Sequence, residues 1–263
     1  MRALHIGATG MLAQQTNVEV ISNNIANMNT TAYSRRRAEF HDLLYQDQRR
    51  VGANSSDSGT IVPSGIQLGL GVKTASVYRI SEHGSVLKTD NTLDLAIQGN
   101  GYFRIELPNN RGTGYTRDGA FQVSPDGLLV TSDGYTVQPG ITIPENAIGI
   151  TINSSGEVWV KEDGQTELNN VGQLEIANFM NESGLEAIGD NLFMETVASG
   201  QPTVDNPGAL GFGTILQGHL ENSNVNVVSE ITELVSAQRA YEMNSKIITT
   251  ADQMLSTINN LKS

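Results

Sequence analysis

"VVSEITELVSAQRAYEMNSKIITTADQML", Val227 to Leu255, contains neither glycine nor proline. Val227, Leu234, Tyr241, Ile248 and Leu255 recur in it every seven residues. Val228, Ile231 and Val235, then Ile247, Met254, Ile258 and Leu261, widen that face. A seven-residue apolar repeat places a narrow seam along an α-helix, the width that suits another helix rather than a sheet. With about 35 residues at ~1.5 Å each, the helix is ~50 Å long. The N-terminal stretch carries a matching series, Leu4, Met11, Val18 and Ile25, with Ile21 and Met28 in a neighbouring one. Gln14, Gln238, Ser245 and Asp252 fall at polar seam positions. Such residues weaken a lone helix and set register when helices pack.

Between these ends the pattern changes. All seven prolines lie from Pro63 to Pro207, and no glycine occurs from Met11 to Val51 or after Gly218. Two breaker-free ends flank a breaker-rich middle, the order of helix, β-region, helix. "LDLAI" alternates Leu93, Leu95 and Ile97, and "YFRIEL" alternates Phe103, Ile105 and Leu107. Asp-Gly pairs at Asp118–Gly119, Asp126–Gly127, Asp133–Gly134 and Asp163–Gly164 punctuate alternating segments and predict hairpin turns. "EVWV" and "QLEIANF" read as further strands. The expected class is α+β: long N- and C-terminal helices pairing as a coiled coil, with a mainly antiparallel β-domain inserted between them.

Charge divides the same way. Residues 1–50 hold six Lys/Arg against four Asp/Glu, residues 222–263 three against four, and residues 51–221 seven against twenty. The acidic middle disfavours nucleic acid, whose phosphates need a basic face. The triple Arg35, Arg36, Arg37 reads best as solvated charges at a helix end. Without cysteine, no disulfide or thiolate chemistry is possible. No stretch suits a membrane span, and the first twenty residues lack the apolar core of a cleaved secretory signal.

Catalytic signals are weak. His5, His41, His83 and His219 are scattered, without metal-ligand spacing. Asp90 with Asp94 is a carboxylate pair of the kind glycosidases use. Asp94 lies in an alternating strand, where an outward charge is the ordinary expectation. No catalytic, cofactor or metal residue is assigned.

"SNNIANMNTTAY", Ser22 to Tyr33, places Asn23, Asn24 and Asn27 where the N-terminal helix ends. A buried helix is not expected to tolerate this polarity, so these amides are read as hydrated until a neighbour covers them. The longer "SNNIANMNTTAYSRRRAEF" and the C-terminal "SNVNVVSEITELVSAQRAYEMNSKIITTADQML" resemble the paired terminal signatures of the axial proteins of the bacterial flagellum, the rod and hook family. "TDNTLDLAIQGNGYFRI", "YTRDGAFQVSPDGLLVTSDGYTVQPGITIP" and "VGQLEIANFMNESGLEAIGDNLFMET" are similar to its distal-rod type, as is "FHDLLYQDQRRVGANSSDSGTIVPSGIQLGLGV". Ala32 departs from the pattern, where many relatives carry glycine.

The resemblance implies a structural subunit that polymerises into a tubular drive shaft. Its partners would be copies of itself, proximal rod proteins, the hook protein or its junction, the P-ring and L-ring proteins and the rod cap. The flagellar type III apparatus would export it without a cleaved signal, and neither cofactor nor nucleic acid is implied. Residues 1–45 and 216–263 are expected as assembly helices, 46–75 as a linker or strap, and 76–215 as the outer β-rich domain. The assembly face is expected at Leu4, Met11, Val18, Asn23, Asn24, Ile25 and Asn27, with Val227, Ile231, Leu234, Tyr241, Ile248 and Leu255 opposite. Ile61, Val62, Pro63, Ile66 and Leu68 are expected to dock on a neighbour and stiffen the shaft. Alternatives are a proximal rod or hook subunit, or a cell-wall glycan-binding or glycan-cleaving β-domain.

Overall fold

The computed structural model describes residues 2–49, 64–108, 112–164 and 167–262. The architecture is α+β, with a helix at each end and antiparallel strands between. The chain divides into two compact units. Residues 1–26, 36–79 and 226–263 form one, and residues 27–35 and 80–225 the other.

The helical unit contains α1 (Arg2–Ala26), β1 (Arg36–Asp42), β2 (Tyr45–Arg49), β3 (Ile66–Gly69), β4 (Val72–Arg79) and α2 (Val227–Lys262). β1 pairs with β4 and β2 with β3, both antiparallel. α1 is shorter than the segment 1–45 read from the sequence, because the chain turns at residues 27–32 and re-enters as a strand. The three arginines are therefore not a helix end. Arg36 and Arg37 open β1, and the Arg37 guanidinium stacks 5.4 Å from the centre of the Tyr78 ring. The segment read as a linker is strand at both described ends. Tyr45 and Gln46 pair with Gly69 and Leu68. Gly71 makes the corner before β4 with φ +122°, and a Cβ there would lie 2.2 Å from Oγ1 of Thr9 on α1. Both the positive φ and this close approach require glycine.

The β unit is built around a six-stranded sheet in the order β15–β16–β8–β7–β14–β17. Its strands are β7 (Tyr102–Glu106), β8 (Thr113–Thr116), β14 (Ile176–Asn178), β15 (Glu186–Gly189), β16 (Leu192–Met194) and β17 (Thr203–Asp205). Beside it lie the pair β9 (Gln122–Val123) and β10 (Leu129–Val130), and the ladder β11 (Ala147–Ile152), β12 (Glu157–Glu162) and β13 (Asn169–Gln173). Two further pairs join β6 (Leu95–Gln98) to β18 (Thr214–Gln217), and β5 (Val86–Lys88) to β19 (His219–Glu221).

Alternation along the strands sends Phe103 and Ile105 into the main core with Leu95, Ile97, Phe121, Leu174 and Ile176. Tyr102 points to the other face, where it meets Phe179 and Phe193 edge-to-face within a second, aromatic cluster. Three of the four Asp-Gly pairs turn the chain through glycines of positive φ, at Gly127, Gly134 and Gly164. Asp118–Gly119 differs. There the Asp118 carboxylate accepts the Ala120 N–H at 3.1 Å, and the Leu95 carbonyl lies 1.6 Å from where a Gly119 Cβ would be.

Asp94 is not the outward charge expected of it. It is buried and accepts the Asn91 side-chain amide at 2.8 Å, because the chain turns at Asn91 just before β6 begins. A deeper ion pair lies nearby. Arg117 donates through Nε to Glu221 at 2.8 Å, and its remaining nitrogens donate to the carbonyls of Ile97, Gly99 and Gly101. Glu221 also accepts the Gly84 N–H through Oε1, and its backbone carbonyl accepts the Ala32 N–H at 2.8 Å. A buried guanidinium and carboxylate are tolerable only when so fully hydrogen-bonded.

Candidate assembly interface

α2 begins at a cap. The Asn226 side-chain oxygen accepts the backbone N–H groups of Val228 and Ser229 at 3.1 and 3.3 Å, satisfying donors that a first turn leaves unpaired. From there 36 residues run without a break.

α1 and α2 lie antiparallel, because contacts descend one helix as they climb the other. A Cβ on Gly7 would lie 2.8 Å from Cγ1 of Ile248, and one on Gly10 would lie 2.9 Å from Nδ2 of Asn244. Near the far end of α1, Asn24 reaches Glu230 with its Nδ2 3.0 Å from Oε2. The close approach at Gly7 and Gly10 follows from the missing side chains. A Cβ at Gly7 would crowd the Ile248 side chain, whereas one at Gly10 would meet only the Asn244 side chain, which can turn aside.

The facing surfaces use small and polar groups as much as large apolar ones. Gly7, Ala13, Ile21 and Asn24 are buried on α1, and Glu230, Ala237 and Ala251 on α2. Leu4, Met11, Val18 and Ile25 are half-buried, as are Val227, Leu234, Ile248 and Leu255. Ile231 and Tyr241 are exposed. A search for large side chains every seven residues finds the first series and misses the second. The missed signal was the three-four spacing of Glu230, Leu234, Ala237, Tyr241, Asn244, Ile248, Ala251 and Leu255, half of it carried by Ala, Asn and Glu.

Asn24 corrects the reading of the Asn-rich stretch. It is 1% exposed, not hydrated. Its Nδ2 donates to the Arg36 carbonyl at 2.8 Å and its Oδ1 accepts the Arg36 N–H at 2.9 Å. One amide thus replaces a strand neighbour for the first residue of β1 and reaches the Glu230 carboxylate as well. Asn23 is exposed. Asn27 lies in the turn, where its Oδ1 accepts the Thr30 hydroxyl at 3.2 Å.

Much apolar surface on the helices is uncovered. On α2, Val228, Ile231, Val235, Met243, Ile247, Met254 and Ile258 are exposed, and Ile6 and Leu12 on α1. Isolated exposed apolar residues are normal on a protein surface, but an extended set on one helix marks an interaction face. Ile66 and Leu68 are exposed on β3, beside exposed Leu44 and Tyr45, and Ile61, Val62 and Pro63 lie outside the described residues. Among the described residues no group of His, Asp and Glu is placed to hold a metal ion, and no helix is long and apolar enough to cross a membrane.

Comparison with known proteins gives the context. Residues 96–160 match the flagellar hook protein FlgE/F/G D1 domain, and residues 216–261 the flagellar basal body rod FlgEFG protein C-terminal family. Residues 4–33 match the flagella basal body rod protein family. The chain is 61% identical to the flagellar basal-body rod protein FlgG of Caulobacter vibrioides and 54% identical to that of Agrobacterium fabrum, in both cases over the full length of both chains. Against FlgG of Borreliella burgdorferi it is 48% identical over all of this chain and 99% of the relative. Identity of this extent from end to end means that the chain belongs to the FlgG family of flagellar basal-body rod proteins, structural subunits of the distal rod and not enzymes.

Proposed function

We propose that α1 and α2 pair as an antiparallel coiled coil and that this pair packs against those of neighbouring copies to form the wall of a tubular shaft. The uncovered apolar surface of α2 carries this reading. Residues such as Val228, Ile247 and Met254 are exposed along a helix whose buried side is already occupied. Covering them in a polymer would recover burial that the single chain leaves unused. The acidic β unit would then lie outside, towards the P-ring and L-ring proteins. Proximal rod proteins would meet one end of the shaft and the hook protein or its junction the other, with the rod cap guiding growth. The flagellar type III apparatus would deliver subunits, and the finished shaft would run from the periplasm to the outer membrane. The Tyr45–Gly69 ribbon and the residues it encloses would dock on a neighbour and resist bending.

Val228→Asp and Ile247→Asp test the assembly face, because both side chains are exposed in the single chain. An unpaired charge in a packed helix seam costs several kcal/mol and recurs in every subunit of a polymer. The expected result is loss of rods from purified basal bodies and loss of motility, with unchanged fluorescence from Trp159 in the β unit. Normal rods from both variants would refute the face.

A further inference from the structure

α2 carries two exposed apolar patches, and they lie on opposite flanks of its contact with α1. In the seven-residue repeat that starts at Val227, Val228, Ile231 and Val235 occupy the second and fifth positions. Met243 occupies the third, and Ile247 and Met254 the seventh. Second and fifth positions flank one side of a helical seam, third and seventh the other. All six side chains are exposed. Their shapes differ. The first three are β-branched and stiff and stand as a ridge. The second three, with Ala3 of α1, line an open groove of about 420 Å³ whose floor includes Ala251. Methionines adapt to what enters such a groove.

Resting on the polymer reading above, we infer that the Val228–Ile231–Val235 ridge of one copy seats in the Met243–Ile247–Met254 groove of the next. Two observations make the occupant a second copy. The β unit holds six Lys/Arg against nineteen Asp/Glu, whereas the helical unit holds ten against nine. Copies therefore repel through their β units and can approach through their helical ones. The contact also brings no like charges together, since Val228, Ile231 and Val235 are apolar and Lys246 is the one charged residue among those lining the groove. A ridge meeting a groove, rather than itself, is a head-to-tail contact, which propagates as an open filament and does not close as a dimer. Ile231 and Ile247 are sixteen residues apart, so parallel neighbours would be staggered by about 24 Å along the helix axis.

The chain has no cysteine, so introduced thiols report without background. Basal bodies carrying Ile231→Cys with Ile247→Cys in one chain are oxidised, or treated with a short bis-maleimide, and resolved on a denaturing gel. The expected product is a ladder of oligomers. Each single variant should remain monomeric, and Thr232→Cys with Gln253→Cys, on the outer side of the same helix, should give no ladder. Rods that assemble normally but yield no ladder with either reagent overturn the pairing and leave the polymer reading intact. Dimers from either single variant overturn it in favour of a two-fold contact. Loss of rods from Ile231→Cys and from Ile247→Cys, but not from the outer pair, supports both patches as covered surfaces. Absence of the wild-type chain from purified rods would overturn the polymer reading itself.

Discussion

The β unit and the helical unit solve opposite problems. In the β unit Leu95, Ile97, Phe103, Ile105, Phe121, Leu174 and Ile176 are almost fully buried, and aromatic rings pack on the second face of the main sheet. In the helical unit Ile21 is the only large aliphatic side chain buried among the described residues, while glycine, alanine, Asn24 and Glu230 fill the other buried positions. Fully burying one Val, Leu or Ile side chain stabilises a fold by about 1.5–3 kcal/mol. The β unit collects this within one chain. The helical unit leaves it available to other chains. A subunit that must be stable before assembly and adhesive during it can divide the two tasks between regions.

The β unit is self-sufficient only while the buried cation of Arg117 is satisfied. Arg117→Ala leaves the Glu221 carboxylate buried without its cation and frees the carbonyls of Ile97, Gly99 and Gly101. Removing one partner of a buried pair costs about 3–5 kcal/mol. The β unit should therefore melt about 10 °C lower, given ~2–4 °C per kcal/mol for a region of this size. Trp159, the single tryptophan, sits in β12 and reports the transition by fluorescence. A loss below 1 kcal/mol would mean that the core does not depend on the pair.

How much of this was legible follows from what each residue type signals. The two helices, the α+β class and the core strands around Phe103 and Ile105 show in periodicity, since large apolar residues repeat at spacings that only one geometry explains. Gly7, Gly10, Ala237 and Ala251 do not show. A small residue signals nothing by itself, and a single sequence does not reveal what it faces, as Gly7 faces Ile248 and Gly10 faces Asn244. Asn24 misleads for a related reason. An amide carries the same letter whether it meets water or, as here, the two backbone groups of Arg36. Glu230 and Asn24 are 206 positions apart, a separation that local pattern cannot bridge.

Removing the β2–β3 ribbon touches neither core. β2 and β3 are exposed on nearly every residue, so the ribbon belongs to the helical unit but contributes little to its packing. Deleting residues 46–63 removes most of β2 and should leave monomer stability nearly unchanged and rods still formed. The rods should be curved or flexible in electron micrographs of basal bodies. Straight, stiff rods from the deletion would exclude the ribbon as the stiffening element.

A slighter change is expected at Ala32, where a non-glycine residue holds an unusual backbone. Its φ is +54°, and its methyl group is buried. A left-handed conformation costs a non-glycine residue roughly 1–2 kcal/mol. Ala32→Gly relieves that strain, but it gives the unfolded chain freedom worth about 0.4–1 kcal/mol. It also removes a buried methyl worth about 0.8 kcal/mol. The three terms nearly cancel, so the melting temperature should move by less than about 2 °C in either direction. Ala32→Val separates them. A β-branched residue at positive φ adds strain of about 1–3 kcal/mol, and its larger side chain must also fit a buried position. It should lower the transition clearly and weaken the Ala32 N–H bond to the Glu221 carbonyl, whose carboxylate holds Arg117. Amide hydrogen exchange at Ala32 reads that bond directly. Protection unchanged in Ala32→Val, with a melting temperature equal to that of Ala32→Gly, would show that the turn relaxes to a negative φ and that the alanine stores no strain.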